Sequence, residues 1–264
     1  MAEPPEDGFR FPDARHVLPR TVGRTARFGL AGLWGALVTV PMSIAQVTTH
    51  RKTPTTANFK RWATRWASAI LKGAGIRVHL EDRAHLDPAR PYVFVPNHQS
   101  GLDILVLAAA LPYPFGFAAK AELKEVPFLG HAIAGSPSVF VDKRDARRAV
   151  ETIREAAERI RAGMSVLIFP EGKRTYSGGL ARFERGAFVL AVEAGVPLVP
   201  VTLHGAYRLL DERRGLLRPG EVTVVVHEPL PTEDLTRRDV PALMARVYAL
   251  MQADLEAYER AHPP

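Results

Sequence analysis

From Ile76 onward the chain alternates short apolar runs with helix-length amphipathic segments, and that alternation limits what it can fold into. "IRVHLED", "PYVFVPN", "PFGFAAK", "PSVFVDK", "MSVLIFP", "PLVPVTLHG" and "EVTVVVHEP" each read as a strand. The two Pro of "VPLVPV" bracket a short strand. Helical spacing marks "DILVLAAAL", "RDARRAVETIREAAERIRAG" and "GAFVLAVEAG". The closing "DVPALMARVYALMQADLEAYERAH" sets Val240, Leu243, Met244, Val247, Leu250 and Met251 on one stripe. Strands alternating with helices imply an α/β fold, a central mixed β-sheet flanked by helices. A length of 264 residues suits one such domain with an appendage. No repeat, heptad or low-complexity stretch suggests another architecture.

The appendage is N-terminal. Residues 1–24 are polar and Pro-rich, the composition of a flexible tail. Phe28–Val47 is close to bilayer-spanning length but is diluted by Gly, Pro41, Thr39, Ser43 and Gln46. It starts too late and runs too long for a signal peptide. Arg20, Arg24 and Arg27 precede it and Arg51 and Lys52 follow, so the positive-inside rule gives no direction. A segment dipping into one leaflet fits this pattern, with a full span and a buried core helix as the alternatives. In "ANFKRWATRWASAILKGAGI", Phe59, Trp62, Trp66, Ile70 and Leu71 recur at helical spacing among Lys60, Arg61, Arg65 and Lys72. That is the pattern of a helix lying in the headgroup region, or of an amphipathic helix packed on the domain. Residues 25–75 therefore read as a membrane-anchoring helix pair and 76–264 as the domain it carries.

A formal net charge of +7, with Arg outnumbering Lys, favours an anionic partner: nucleic acid, an acidic membrane surface or a phosphorylated substrate. No nucleic-acid-reading module is visible, so nucleic acid is not expected. The absence of Cys excludes disulfides, thiolate nucleophiles and Cys-ligated metals. No metal-ligand cluster and no G-x-S-x-G elbow is present.

Chemistry concentrates at strand ends. In "VPNHQSGLDIL" an apolar strand stops at His98, and Asp103 opens the next helix. A His can act as a general base when a carboxylate holds its tautomer. With 9 His and 11 Asp in 264 residues, about 0.4 such spacings arise by chance, so the spacing alone decides little. Asp103 as a carboxylate at the helix dipole, with His98 a mere turn residue, explains it equally well. "LIFPEGKRTYSGG" runs a strand into Glu171, Gly172, Lys173 and Arg174. Cations there can hold a phosphate, and the N–H groups next to Gly172 can approach an oxyanion. Arg144 in "SVFVDKRDARR" and Lys120 in "PFGFAAK" add cations at two further strand ends. Together these imply a pocket for a phosphorylated substrate.

"NHQSGLD", "SVFVDKR", "FPEGKR" and "VPLVPV", in this order, resemble the four signature blocks of the 1-acylglycerol-3-phosphate O-acyltransferase family. The resemblance covers roughly Ile76 to Pro231, and the N-terminal helix pair is similar to that of bacterial members. It implies that His98, oriented by Asp103, deprotonates the hydroxyl of lysophosphatidic acid. The oxygen then attacks the thioester of acyl-CoA or acyl carrier protein, a co-substrate rather than a cofactor, with no acyl-enzyme. It also implies that Glu171, Gly172 and Arg174 belong to the acceptor site, with Arg144 and Lys120 as phosphate contacts. Activity at the cytoplasmic side of an inner or plasma membrane, among membrane lipids, follows from the same resemblance. Two departures, Lys173 where the family often has Thr and Asp142-Lys143-Arg144 where it often has Asp-Arg, keep or add positive charge. The readings set beside this one are acylation of another lysolipid or a lipid-linked amine, and a non-catalytic membrane-binding protein. Acyl-chain preference, the choice of donor and oligomeric state are left open.

Overall fold

The structure, a computed structural model, describes Thr39 and residues 56–120, 138–141, 146–212 and 214–262. The tail expected over residues 1–24 and, apart from Thr39, the apolar stretch 28–47 lie outside the described residues. From Thr56 onward the described elements are α1 (Thr56–Gly73) and β1 (Ile76–Asp82), followed by β2 (Val93–Pro96), α2 (Asp103–Ala110) and β3 (Gly116–Lys120). Next come β4 (Val139–Val141), α3 (Ala146–Arg161), β5 (Val166–Leu167), α4 (Gly186–Ala194) and β6 (Leu198–His204). A short α5 (Ala206–Leu209) leads into the hairpin β7 (Leu210–Asp211) and β8 (Leu216–Leu217), then β9 (Gly220–Val226) and α6 (Val240–Ala261).

Among the described residues, seven strands form one sheet in the order β1-β9-β6-β2-β5-β3-β4. Neighbours are parallel except β6 and β9, which run antiparallel, giving the mixed sheet expected. Parallel strands need long crossovers, and α2, α3 and α4 supply them. Alternate residues of a strand point to opposite faces, so Phe94 joins one core and Val93 and Val95 the other. Leu71 of α1 and Val106 and Leu107 of α2 cover the first face, against Val199, Val201 and Val224. Ile160 of α3, Phe188 of α4 and Val247 and Met251 of α6 cover the second. The α6 stripe is as read, with Leu255 extending it and Met244 and Leu250 only partly buried at its margin.

The two Pro of "VPLVPV" do not bracket the strand. β6 runs through Pro200, whose carbonyl accepts the His227 N–H at 3.0 Å. The N–H and C=O of a strand residue project the same way, so the donor Pro200 lacks would face the end of the β9 ladder, just past Val226. β2 stops at Pro96, and the Asn97 side chain continues its seam with β6. Its Nδ2 donates to Leu203 O at 3.1 Å and its Oδ1 accepts from Leu203 N at 2.7 Å. The turn that follows is thereby fixed to the central sheet.

α1 packs on α2 through buried Ala67 and Leu71, and Lys60 is buried with them. The Lys60 ammonium donates to Ala108 O at 2.7 Å and to Thr64 Oγ1 at 2.8 Å, close to the carbonyl end of α2. Burial lowers its pKa to about 8. Lys60 is thus a packing residue of α1 and not one of its outward cations, whereas Arg61, Arg65 and Lys72 are exposed. Trp62 and Trp66 are half-buried, and Trp66 Nε1 donates to Thr39 Oγ1 at 2.9 Å. Among the described residues no helix is long and apolar enough to cross a membrane.

Candidate active site

β2 and β5 are parallel neighbours, so the turns that leave them emerge at the same edge of the sheet. Residues 97–102 leave β2, and Asp103 opens α2 with its side chain turned back into that turn. Its Oδ2 lies 2.8 Å from His98 Nδ1 and accepts the N–H groups of Gln99 at 2.6 Å and Ser100 at 2.9 Å. Backbone N–H groups can only donate, so Oδ2 is an acceptor and His98 carries its proton on Nδ1. Nε2, left with its lone pair, makes no hydrogen bond among the described residues. Asp103 is fully buried while the His98 side chain is 15% exposed, so the pair has one sealed end and one accessible end. Burial pushes the Asp103 carboxyl above the usual carboxylate range, opposed by the bonds from His98, Ser100 and Gln99. Of the two readings of the spacing, both geometries are present: Asp103 is helix-initial and it also holds the imidazole.

The segment after β5 grips this turn from the other side. The Phe169 ring stacks on the His98 ring with centroids 3.9 Å apart. Buried Glu171 accepts the His98 N–H on Oε1 at 2.8 Å and the Ala181 N–H on Oε2 at 2.7 Å. Burial raises its pKa also, against those two amide bonds. Thr175 N donates to His98 O at 2.9 Å, and Tyr176 N to Gln99 O at 3.1 Å. Gly172 sits at φ 67°, a conformation that favours glycine, and a β-carbon there would also have to displace the Glu184 carboxylate, 2.5 Å away at Oε1. The Gly172 N–H is itself committed to Phe169 O at 3.2 Å. Of the N–H groups expected to be open to an oxyanion near Gly172, those of Lys173 and Arg174 have no acceptor among the described residues.

Arg174 is tied to the same turn by a residue that no motif suggests. Its Nη1 donates to Glu212 Oε2 at 2.5 Å, while Glu212 Oε1 accepts the Gly101 N–H at 2.7 Å. A β-carbon on Gly101 would stand 2.8 Å from Glu212 Oε1, so glycine is what allows this approach. The Arg174 guanidinium also lies over the Tyr176 ring, 5.4 Å from its centroid. Arg174 is therefore held beside the His98–Asp103 turn, a third exposed, at 37%.

The family model described as Acyltransferase matches residues 76–204, which include every one of these groups except Glu212. The human 1-acyl-sn-glycerol-3-phosphate acyltransferase alpha is 38% identical over 174 residues, 66% of this chain and 62% of that protein. The Saccharomyces cerevisiae 1-acyl-sn-glycerol-3-phosphate acyltransferase is 34% identical over 161 residues, 60% of this chain and 53% of that one. Over this region the chain is similar to the 1-acylglycerol-3-phosphate acyltransferases. It spans less than two thirds of the length of these curated relatives. The crystal structure of the 1-acyl-sn-glycerophosphate acyltransferase PlsC from Thermotoga maritima superimposes with a TM-score of 0.72. That match covers 91% of this chain and 96% of that chain at 24% identity, and it shows a shared fold, a central sheet flanked by helices.

Among the residues expected from the family blocks, the structure brings His98, Asp103, Glu171, Gly172 and Arg174 together through the contacts above. Lys173 follows on the same turn and is exposed. Lys120 ends β3, with its side chain outside the described residues, and Arg144 lies outside them altogether. Among the described residues no group of three or more His, Asp or Glu is placed to hold a metal ion. Glu212 escaped the reading by motif because it follows a two-residue strand, with nothing periodic around it. An acidic residue in a hairpin rich in Arg was the only signal.

Proposed function

We propose that the protein transfers a fatty acyl group from acyl-CoA or acyl carrier protein to the sn-2 hydroxyl of lysophosphatidic acid, yielding phosphatidic acid. The observation that carries this reading is the 2.8 Å contact of His98 Nδ1 with buried Asp103. It leaves Nε2 as the basic atom at the accessible end. Nε2 takes the acceptor's hydroxyl proton as its oxygen attacks the thioester carbonyl. The tetrahedral oxyanion collapses, the C–S bond breaks, and the imidazolium returns the proton to the leaving thiolate. Asp103 stabilises the imidazolium, and Glu171 and Phe169 keep the ring in place. N–H groups of Lys173 and Arg174 are candidates to receive the oxyanion, and Arg174 is suited to the acceptor's phosphate. An acceptor that resides in a bilayer accounts for the Arg- and Trp-bearing α1, and the enzyme would work at the cytoplasmic face of a membrane.

The test is thiol release from palmitoyl-CoA and palmitoyl-carrier protein, with and without lysophosphatidic acid, for the wild type and His98→Ala. Acceptor-dependent release should fall by roughly 10²- to 10⁴-fold in the variant, the usual worth of a general base. Near-wild-type turnover by His98→Ala would remove the assignment.

A further inference from the structure

The segment after β5 carries cations in two settings. One is that of Arg174, held beside Gly101 by Glu212. The other surrounds an open depression of about 590 Å³ lined by Glu171, Lys173, Arg182, Glu184 and Arg185, among others. Neither Arg174 nor any residue of the His98–Asp103 turn lines it. Lys173, Arg182 and Arg185 are all exposed, and among the described residues no carboxylate forms an ion pair with them. Of the two carboxylates present, Glu171 spends both oxygens on the His98 and Ala181 N–H groups. Glu184 lies against Gly172. α4 starts at this rim with no acidic residue in its first turn and no side-chain cap, which adds to the positive potential. The cavity's size is that of a small-ligand site, and its charge calls for a phosphate.

Direct transfer without an acyl-enzyme needs both substrates bound at once, and both carry phosphate. One cation group then has to serve each. We propose that the Lys173–Arg182–Arg185 depression binds the phosphate of the acyl donor's phosphopantetheine arm, while Arg174 serves the acceptor. This rests on the acyl-transfer reading given above. CoA and acyl carrier protein share that phosphate, so the site accepts either carrier and leaves the nucleotide or the protein body in solvent. Glu171 is the partition, with the thioester reaching His98 past its backbone contact.

The experiment uses the double variant Arg182→Ala/Arg185→Ala of the full chain. Both side chains are exposed and neither caps α4, so the fold tolerates the change, checked by an unaltered melting temperature. With saturating lysophosphatidic acid, KM for palmitoyl-CoA or palmitoyl-carrier protein should rise about tenfold. The carrier that supports turnover in the wild type, and whose KM rises in the variant, is the source of the phosphate. KM for lysophosphatidic acid should stay put, and palmitoyl-pantetheine, which lacks the phosphate, should be used alike by both proteins. An equal rise with palmitoyl-pantetheine, a rise confined to lysophosphatidic acid, or no change in any KM overturns the proposal. Calorimetric binding of CoA alone separates this from failure of the acyl-transfer reading. It should weaken about tenfold in the variant and fall with added salt in the wild type, whatever the acceptor proves to be.

Discussion

Glu212 spends one carboxylate oxygen on Arg174 and the other on the Gly101 N–H, so a single residue links Arg174 to the His98–Asp103 turn. Two effects oppose one another when it is removed. Arg174 would gain free charge, which favours a phosphate, but it would lose its position. The pair is partly exposed, 37% for Arg174 and 24% for Glu212, so the gain is screened and small. Placement therefore decides the sign. Glu212→Ala should raise KM for lysophosphatidic acid roughly five- to tenfold and leave the donor KM unchanged. In an Arg174→Ala background it should add little to the acceptor KM, because the two act as one unit. Additive effects on KM in this double-mutant cycle would show that Glu212 acts elsewhere.

At the scale of elements, Asn97 is where the sheet hands over to the site. Its amide pairs with both the N–H and the C=O of Leu203, and both residues are fully buried. Asn97→Ala strands two backbone groups away from water, at a cost of roughly 2–4 kcal/mol. Urea unfolding should read that loss, and a change under about 1 kcal/mol would mean the seam closes by itself. The elements long enough to display a period were legible in the sequence: β2, β6 and β9 by their apolar runs, α3, α4 and α6 by their stripes. The α5–β7–β8 hairpin was not, because two-residue strands have no period to read. Lys60 was misplaced for a related reason. Helical spacing sets it among outward cations, and only the carbonyl end of α2 packed against α1 gives an ammonium cause to turn inward. In the site, the strand-end positions of His98, Asp103 and Glu171 were legible, but the spacing alone left open whether the His98 and Asp103 side chains meet, as they do at 2.8 Å. What the strand-end pattern could not convey is that Glu171 serves the His98 backbone.

Across the whole molecule, a second His–Asp group fastens α6 to the sheet. His204 Nε2 lies 2.9 Å from Asp254 Oδ2, Arg83 Nη1 donates to Asp254 Oδ1 at 3.1 Å, and His227 Nε2 lies 2.7 Å from Thr202 Oγ1. These residues come from β6, the chain after β1, the end of β9, and α6. Burial first, and then Arg83 and His204, hold the His227 pKa down at about 4, against the pull of Asp254. A His that titrates near 6.5 when unfolded binds its proton more readily there than in the fold. Its contribution to stability is therefore complete above about pH 6.5 and is lost as pH falls through that value toward about 4, amounting to roughly 2–3 kcal/mol. Asp103 and Glu171, raised by burial, work in the opposite sense: protonating them on acidification relieves a penalty. The wild-type pH profile mixes these contributions, so the informative quantity is the difference from His227→Gln. Urea midpoints from pH 7.5 to 4.5 should fall more steeply in the wild type than in the variant. The two curves should converge toward pH 4.5, where the wild-type advantage is mostly gone. Parallel curves would mean that His227 accepts its proton in the folded protein as readily as in the unfolded chain, and that acid weakens the attachment of α6 through other groups.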